Sequence, residues 1–208
     1  MNFPDATTPI ATCEIPDCAD CSISHFIHCH FGSSDLLHFY LISLPVFLVG
    51  GAGILAVDLL PLLVWIGLFI VYFNLVEIRV MCSHCPHYAE EGKTLRCWAN
   101  YGSPKIWKYR PGPMSFMEKF FFIAGLVVVF GYPLVFLIAG GTWYLMGLYL
   151  LLAAGFYVSL KKSFCSQCMN LACPLNVVPD STRRAFLECN PVVGRAWGHE
   201  PAKHGQEM

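Results

Sequence analysis

Lysine and arginine are absent from the first 78 residues, and charged side chains of either sign make up only 13% of the 208-residue chain. A soluble domain carries about 25%, so too little polar surface is present to cover a water-soluble globule. Walker-type glycine loops, a Gly-x-Gly-x-x-Gly fingerprint and a His-Glu-x-x-His pair are missing as well, and no Ser-His-Asp arrangement can be argued. A net charge of −1 gives no electrostatic footprint for nucleic acid. Disorder, a collagen-like fibre and a coiled coil are excluded by the same apolar, aromatic-rich composition. The first thirty residues show neither a basic n-region nor an apolar h-region, so no secretory signal peptide is expected there.

Apolar residues are plentiful, at 56%, and they come in long runs. Two blocks, 36–80 and 118–160, are each about twice the ~20 residues that cross a bilayer as a helix. Asp58 splits the first block within AVDLLP, and Gly140-Gly141 splits the second within IAGGTW. The expected fold is all-α: a polytopic membrane protein with four transmembrane helices, at 36–56, 59–80, 118–139 and 142–162, arranged as two helical hairpins. A Cys/His-rich segment (1–35) precedes the first hairpin (36–80). A Cys-rich loop (81–117) joins it to the second (118–162), and a Cys-rich tail (163–208) follows.

The hairpins read as a duplication. A shift of 83 residues lays Arg79 on Lys162, Cys82 on Cys165, Ser83 on Ser166 and Cys85 on Cys168. Parallel repeats of this kind are expected around an axis along the membrane normal. Loop 81–117 carries Lys93, Arg96, Lys105, Lys108 and Arg110, and the tail carries Arg183, Arg184, Arg195 and Lys203; the turns on the other side carry no base. The positive-inside rule then predicts a multi-pass cell-membrane protein with both termini cytoplasmic. The acidic N-terminal segment is placed inside only by the number of spans. The mid-depth stretches 45–48, 68–70, 128–130 and 150–152 hold no ionisable side chain, which weighs against an ion pump or metal transporter.

Eleven cysteines remain, all outside the expected spans and all on that same side. In a reducing cytosol such clustering favours metal or redox chemistry over structural disulfides. One group is Cys13-x4-Cys18-x2-Cys21 followed by Cys29, with His25, His28 and His30 nearby as alternative ligands. A second is Cys82-x2-Cys85-Pro86-His87 followed by Cys97, with His84 beside it. A third is Cys165-x2-Cys168-x4-Cys173-Pro174 followed by Cys189. A Cys-x2-Cys pair can turn two thiolates onto one ion, and four thiolates complete tetrahedral zinc or an iron–sulfur cluster. Either Cys82, Cys85, Cys165 and Cys168 share one site, or each loop builds its own. In the second arrangement Cys82, Cys85 and Cys97 take a histidine, and Cys165, Cys168 and Cys173 take Cys189.

The first three cysteines resemble plant-type ferredoxins in spacing, although the fourth arrives far sooner, so no ferredoxin domain is implied. The Cys-Pro steps resemble those at helix ends in polytopic iron–sulfur membrane proteins. The Cys-x3-Cys-Pro spacing of that family is not kept, so no residue role is carried over. An iron–sulfur cluster is the expected cofactor, with zinc as the alternative.

His38, Asn74 and Glu77 are the polar exceptions near the cytoplasmic span ends. His38 is a candidate for a haem or quinone pocket. Glu77 is a candidate for proton-coupled chemistry beside Cys82. Trp98, Tyr101, Trp107 and Tyr109, interleaved with bases, read as an interfacial segment against anionic lipid. The functional expectation is a membrane redox protein, with a redox partner protein or membrane quinone and possible membership of a larger membrane complex. A non-enzymatic subunit or assembly factor with structural zinc is the alternative. A metal-ion transporter or sensor is the weakest reading.

Overall fold

Backbone in hydrocarbon must bond to itself, so long apolar runs become helices. The computed structural model describes residues 8–199. Within them the chain is helical, with two isolated backbone bridges and no strand. Four helices are long and apolar enough to cross a membrane. The first, α1, is Ser33–Leu55. Next, α2 (Leu59–Val71) runs on through a π-helical segment, Tyr72–Val76, into the short α3 (Glu77–Val80). The long loop leads to α4 (Phe116–Ala139) and α5 (Trp143–Ser159), and α5 is extended by a second π-helical segment, Leu160–Cys165. Two short helices, α6 (Asp180–Cys189) and α7 (Pro191–Ala196), follow.

The rods of α1, α4 and α5 extend a few residues beyond their expected spans at the cysteine-bearing end, while α3 stops at the expected Val80. Polar caps lie just outside the apolar blocks and hold the extra turn. Asp35 accepts from the Gly32 N–H at 2.9 Å. Ser115 and Glu118 form a reciprocal capping box, with the Ser115 N–H donating to Glu118 at 2.8 Å. At the other end Asp58 caps α2 by accepting from the Leu60 N–H at 2.7 Å. Gly141 makes the second tight turn at φ 63°, a conformation that L side chains rarely adopt.

In the bundle α1 and α4 pack against each other, and each also packs against both α2 and α5. Close approach toward the turn end depends on missing side chains. A Cβ on Gly53 would collide with Leu137, and one on Gly50 would stand 2.9 Å from the Tyr149 ring. Pro133, inside α4, has no N–H, which leaves the Val129 carbonyl without its helical donor. The Trp65 indole N–H fills that vacancy from α2 at 2.8 Å. Tyr72 and Tyr149 likewise donate to the Phe122 and Phe130 carbonyls, at 2.6 and 2.7 Å. Outward positions such as Leu60 and Leu151 are 68% and 70% exposed, a surface suited to lipid rather than water.

The N-terminal segment, the long loop and the tail gather at one end of the bundle as a single cap. Its core joins Ile10, Ile23 and Ile27 to Met169, Phe186 and Val193. Thr12 donates to Asn190 at 2.8 Å, the His28 N–H to the Gln167 carbonyl at 2.9 Å, and the Trp197 indole to the Pro111 carbonyl at 3.1 Å. Two of the loop aromatics expected at the lipid interface are instead inside. Trp98 is buried against Phe31, Phe39 and Phe164, and Tyr88 and Tyr109 pack in a separate cluster with Leu95. Trp107 stays partly exposed under the Arg79 guanidinium.

Trp65→Phe is expected to destabilise the bundle by about 1–2 kcal/mol, through the lost bond to an orphaned carbonyl plus some packing. In a Pro133→Ala background position 133 again carries an N–H, so the same substitution should cost about 1 kcal/mol less. Reversible unfolding in detergent micelles measures both; equal costs would show that the indole does not serve the Pro133 vacancy.

Candidate metal centre and cavity

Six of the eleven cysteines line one cavity of about 700 Å³ at the junction of bundle and cap: Cys82, Cys85, Cys97, Cys165, Cys168 and Cys173. The first pair is set by the end of the α2–α3 rod. A single 3₁₀ turn, Cys82–His84, closes with the Cys85 N–H on the Cys82 carbonyl at 2.9 Å. Arg110 clamps this turn, donating to the Arg79 carbonyl and to the Ser83 hydroxyl at 2.6 and 2.9 Å while pairing with Glu118. Cys165 ends the π-helical segment after α5, and Cys168 follows in the next turn. Asn176 ties that turn together by donating to the Cys168 and Asn170 carbonyls at 2.7 and 3.1 Å. Cys97 sits on a turn closed by the Leu95 N–H on the Ser103 carbonyl, and Gly102 supplies its φ of 83°. The two loops therefore share a compartment instead of walling off separate ones.

This end of the cavity lies beneath the protein surface, with Cys82 and Cys85 buried and Cys97, Cys168 and Cys173 half-buried. Burial pushes Cys97 up to about 11 and Cys173 up to about 12, and it raises Cys85 and Cys168 well above the ordinary thiol range; neighbouring thiols add to the shift of Cys85, Cys168 and Cys173. Asn100 offers donors to sulfur: its side-chain amide reaches Cys82 Sγ and its backbone N–H reaches Cys97 Sγ, each at 3.3 Å. Such N–H···S bonds favour the thiolate, the form that binds metal. Burial, with His30 and Lys105 adding, lowers His87 to about 3, so its imidazole is neutral and suited to ligation. Three atoms of buried cavity-lining residues have no partner: Glu77 Oε2, His87 Nε2 and Asn170 Oδ1. Orphaned buried polar atoms carry a desolvation penalty that a bound group would relieve.

A second group lies in the cap, where Cys13, Cys18, Cys21, Cys29 and Cys189 are electrostatic neighbours. Burial raises Cys29 to about 12, and Cys13, Cys21, Cys18 and Cys189 raise it further. Cys189 is likewise raised to about 11, by burial first and then by Cys21 and Cys13. One of the two expected arrangements groups Cys189 with Cys165, Cys168 and Cys173; in the structure Cys189 instead neighbours Cys13, Cys21 and Cys29. Helix α6 carries Cys189 away to the N-terminal segment, where its carbonyl accepts from the Glu14 N–H at 3.0 Å. No local spacing signals a contact across that sequence distance.

Of the other candidates, Glu77 is buried and lines the cavity, as does Asn74. His38 is exposed beside Phe164, with ring centroids 5.1 Å apart, and does not line it. His84 is buried between the Gly112 carbonyl, at 2.7 Å from Nδ1, and Glu118, at 3.5 Å from Nε2. It thus belongs to the clamp on the loop. His25 is exposed, and a ring nitrogen of His30, Nε2, is buried without a partner. Among the described residues, no three His, Cys, Asp or Glu side chains converge as a single-ion site. The donor set itself is soft sulfur with neutral imidazole, which suits zinc or iron–sulfur and not a hard cation. Known protein families, curated proteins and solved structures contain no match to this chain.

A neutral buried His87 makes the metal-free fold acid-labile. Above about pH 6.5 the ring is neutral folded or unfolded. Below that only the unfolded chain takes up the proton, so stability falls as pH drops from about 6.5 toward the folded value of about 3. Between pH 7 and 5 the loss should be about 2 kcal/mol. Thermal unfolding of metal-free protein at the two pH values measures it. His87→Gln should remove most of the difference, and an unchanged difference would assign the acid lability elsewhere.

Proposed function

We propose that this is an integral membrane electron-transfer protein whose cap holds Cys-ligated iron–sulfur centres at the cytoplasmic surface. The observation that carries this reading is the shared cavity. Six thiols from two loops face one buried space, with N–H donors already directed at two of the sulfurs. One centre draws its ligands from Cys82, Cys85, Cys97, Cys165, Cys168 and Cys173, with His87 in reserve. A second draws from Cys13, Cys18, Cys21, Cys29 and Cys189. When bound, such a centre supplies one-electron transfer. The protein's part is to exclude water and to tune the sulfurs through Asn100. Ferredoxin-like spacing at Cys13, Cys18 and Cys21 and the Cys-Pro steps at Pro86 and Pro174 favour iron–sulfur over zinc.

The repeated layout supports this use of the bundle. Each hairpin contributes one helix to the central α1–α4 pair and one flanking helix; each flanking rod has a π-helical segment, which ends six residues short of Cys82 in the first and at Cys165 itself in the second. The two π segments are offset by several residues in the repeat register. A duplicated hairpin therefore accounts for the cysteine ends better than for the helices beneath them. The bases of the loop and tail support a cytoplasmic cap, where it would face a soluble redox partner or further subunits of a membrane complex.

Anaerobic purification tests the proposal. Expected are visible absorbance, iron with acid-labile sulfide, and an EPR signal on reduction. Cys85→Ser and Cys29→Ser should each remove a different part of the iron and of the EPR spectrum. A colourless protein with stoichiometric zinc would instead support a structural role in which metal staples the cap. Orientation is checked separately: a C-terminal epitope tag should be reached by antibody in inside-out vesicles and not in right-side-out ones.

A further inference from the structure

The same cavity extends beyond the sulfurs. It descends between the four long helices, past Phe39, Phe73 and Phe156, to Phe47, Phe130 and Ala153 in the apolar interior. Ligation of a metal centre at the thiol end leaves this aromatic lower part without a purpose. Side chains at its margin include Leu44, Val127 and Tyr157, which are 53%, 65% and 51% exposed on α1, α4 and α5. In a bilayer those positions meet lipid, so the space is open to a ligand arriving through the membrane.

The chemistry of the lining narrows that ligand. Among the described residues no lysine or arginine lines the cavity, and the ammonium beside its wall, on Lys161, already donates to the Leu175 carbonyl at 2.9 Å. A fatty acid or phospholipid headgroup would bring an anion beside Glu77 and the thiols with no cation to meet it, which burial makes costly. A wholly apolar tail would leave Glu77 Oε2 unpartnered at 6% residue exposure. A neutral, flat ring bearing oxygen, on an apolar tail, satisfies both demands. The ring stacks among Trp98, Phe39 and Phe156, and its oxygen bonds to Glu77. A carboxyl group serves either redox form: ionised it accepts from a quinol hydroxyl, and protonated it donates to a quinone carbonyl.

We infer that the lower cavity is a binding site for a lipid-soluble quinone, with its ring held between Glu77 and Trp98 directly beneath the cysteines and its tail leaving between the helices. This deepens the electron-transfer reading and rests on it. Glu77 is a binding residue here, and Trp98 forms a wall of the site.

The test is titration of the purified full-length protein in lipid nanodiscs with decylubiquinone, followed by tryptophan fluorescence, with iron measured on every sample. Saturable quenching is expected, and it should be largely lost in Trp98→Phe because that indole is the one at the ring. Glu77→Ala should weaken binding about tenfold, the worth of one hydrogen bond to a carboxyl group. Ala153→Leu, which fills the tail path with little change in polarity, should abolish saturation; it keeps the test open if Glu77→Ala fails to fold. Palmitate and n-decylbenzene, an anionic and an oxygen-free tail, should not compete. Equal competition by either, or quenching unaltered by all three substitutions, would overturn the quinone site. Iron-loaded protein without saturable quenching overturns this inference alone. Saturable quenching in protein without iron supports the site and overturns the electron-transfer reading.

Discussion

The bundle is closed at one end and open at the other, and every candidate site follows from that asymmetry. Toward the hairpin turns, Gly50 and Gly53 let α1 lie directly against Pro133, Leu137 and Tyr149, so no space remains between the helices. One turn nearer the cap, Phe47 is the first α1 residue to line the cavity. From there upward large rings face one another across the interior where glycines stood below. Interiors pack to near-crystalline density where shapes allow it, and rings spread over four rods with only a few small side chains between them, such as Ser43 and Ala153, leave a gap. Gly125 is the exception on α4. A Cβ there would fall within the Tyr72 ring, and the missing side chain lets Tyr72 reach the Phe122 carbonyl and brace the wall of the cavity.

Spans and turns were legible from the chain itself because each depends on local chemistry. Apolar runs of bilayer length, the Asp58 cap and the glycine pair at the second turn all act within a few residues. The gathering of the cysteine loops at one end follows from an even number of crossings. The details that define the site lack local signals. Pro133 hints that an α4 carbonyl is free, yet nothing near it reveals that Trp65 will answer from α2. Cys189 follows an amphipathic α6 to the N-terminal segment, and only the packing of Phe186 with Ile10 and Ile27 decides that partnership. Trp98 and Tyr109 looked like interfacial rings, since aromatics between bases near a span commonly are. Burial in the cap won because the loop closes back on itself through Leu95 and Ser103.

Sheltered thiols impose a condition on whatever they bind. In the metal-free fold burial holds Cys85, Cys97, Cys168 and Cys173 protonated at neutral pH. A metal must then displace those protons, so its apparent affinity rises with pH. The sign for the fold itself is opposite. Above about pH 8.5 an unfolded thiol ionises while a buried one does not, so these residues withdraw stability from the metal-free state as pH rises toward their folded values. Metal binding reverses that penalty by giving each thiolate a cation at bonding distance.

Sharing a cavity also explains why two hairpins are useful where one would hold a Cys-x2-Cys pair. A single pair at the end of one rod would stand at the rim of a bundle, open to water on one side. Bringing Cys82 and Cys85 from one hairpin against Cys165 and Cys168 from the other places both pairs on the bundle interior, roofed by the cap and floored by aromatic rings. The shelter of both pairs follows from the juxtaposition and not from either loop alone. Low dielectric strengthens the pull of the Asn100 donors on sulfur, and it makes the free Oε2 of Glu77, whose carboxyl is otherwise met by Asn100, expensive to leave without a partner. A sheltered ceiling of sulfur above a carboxyl group and a lipid-facing slot fits the passage of charge between a surface-bound centre and a membrane-borne carrier better than it fits a purely structural staple, which would need the cap but not the cavity below it.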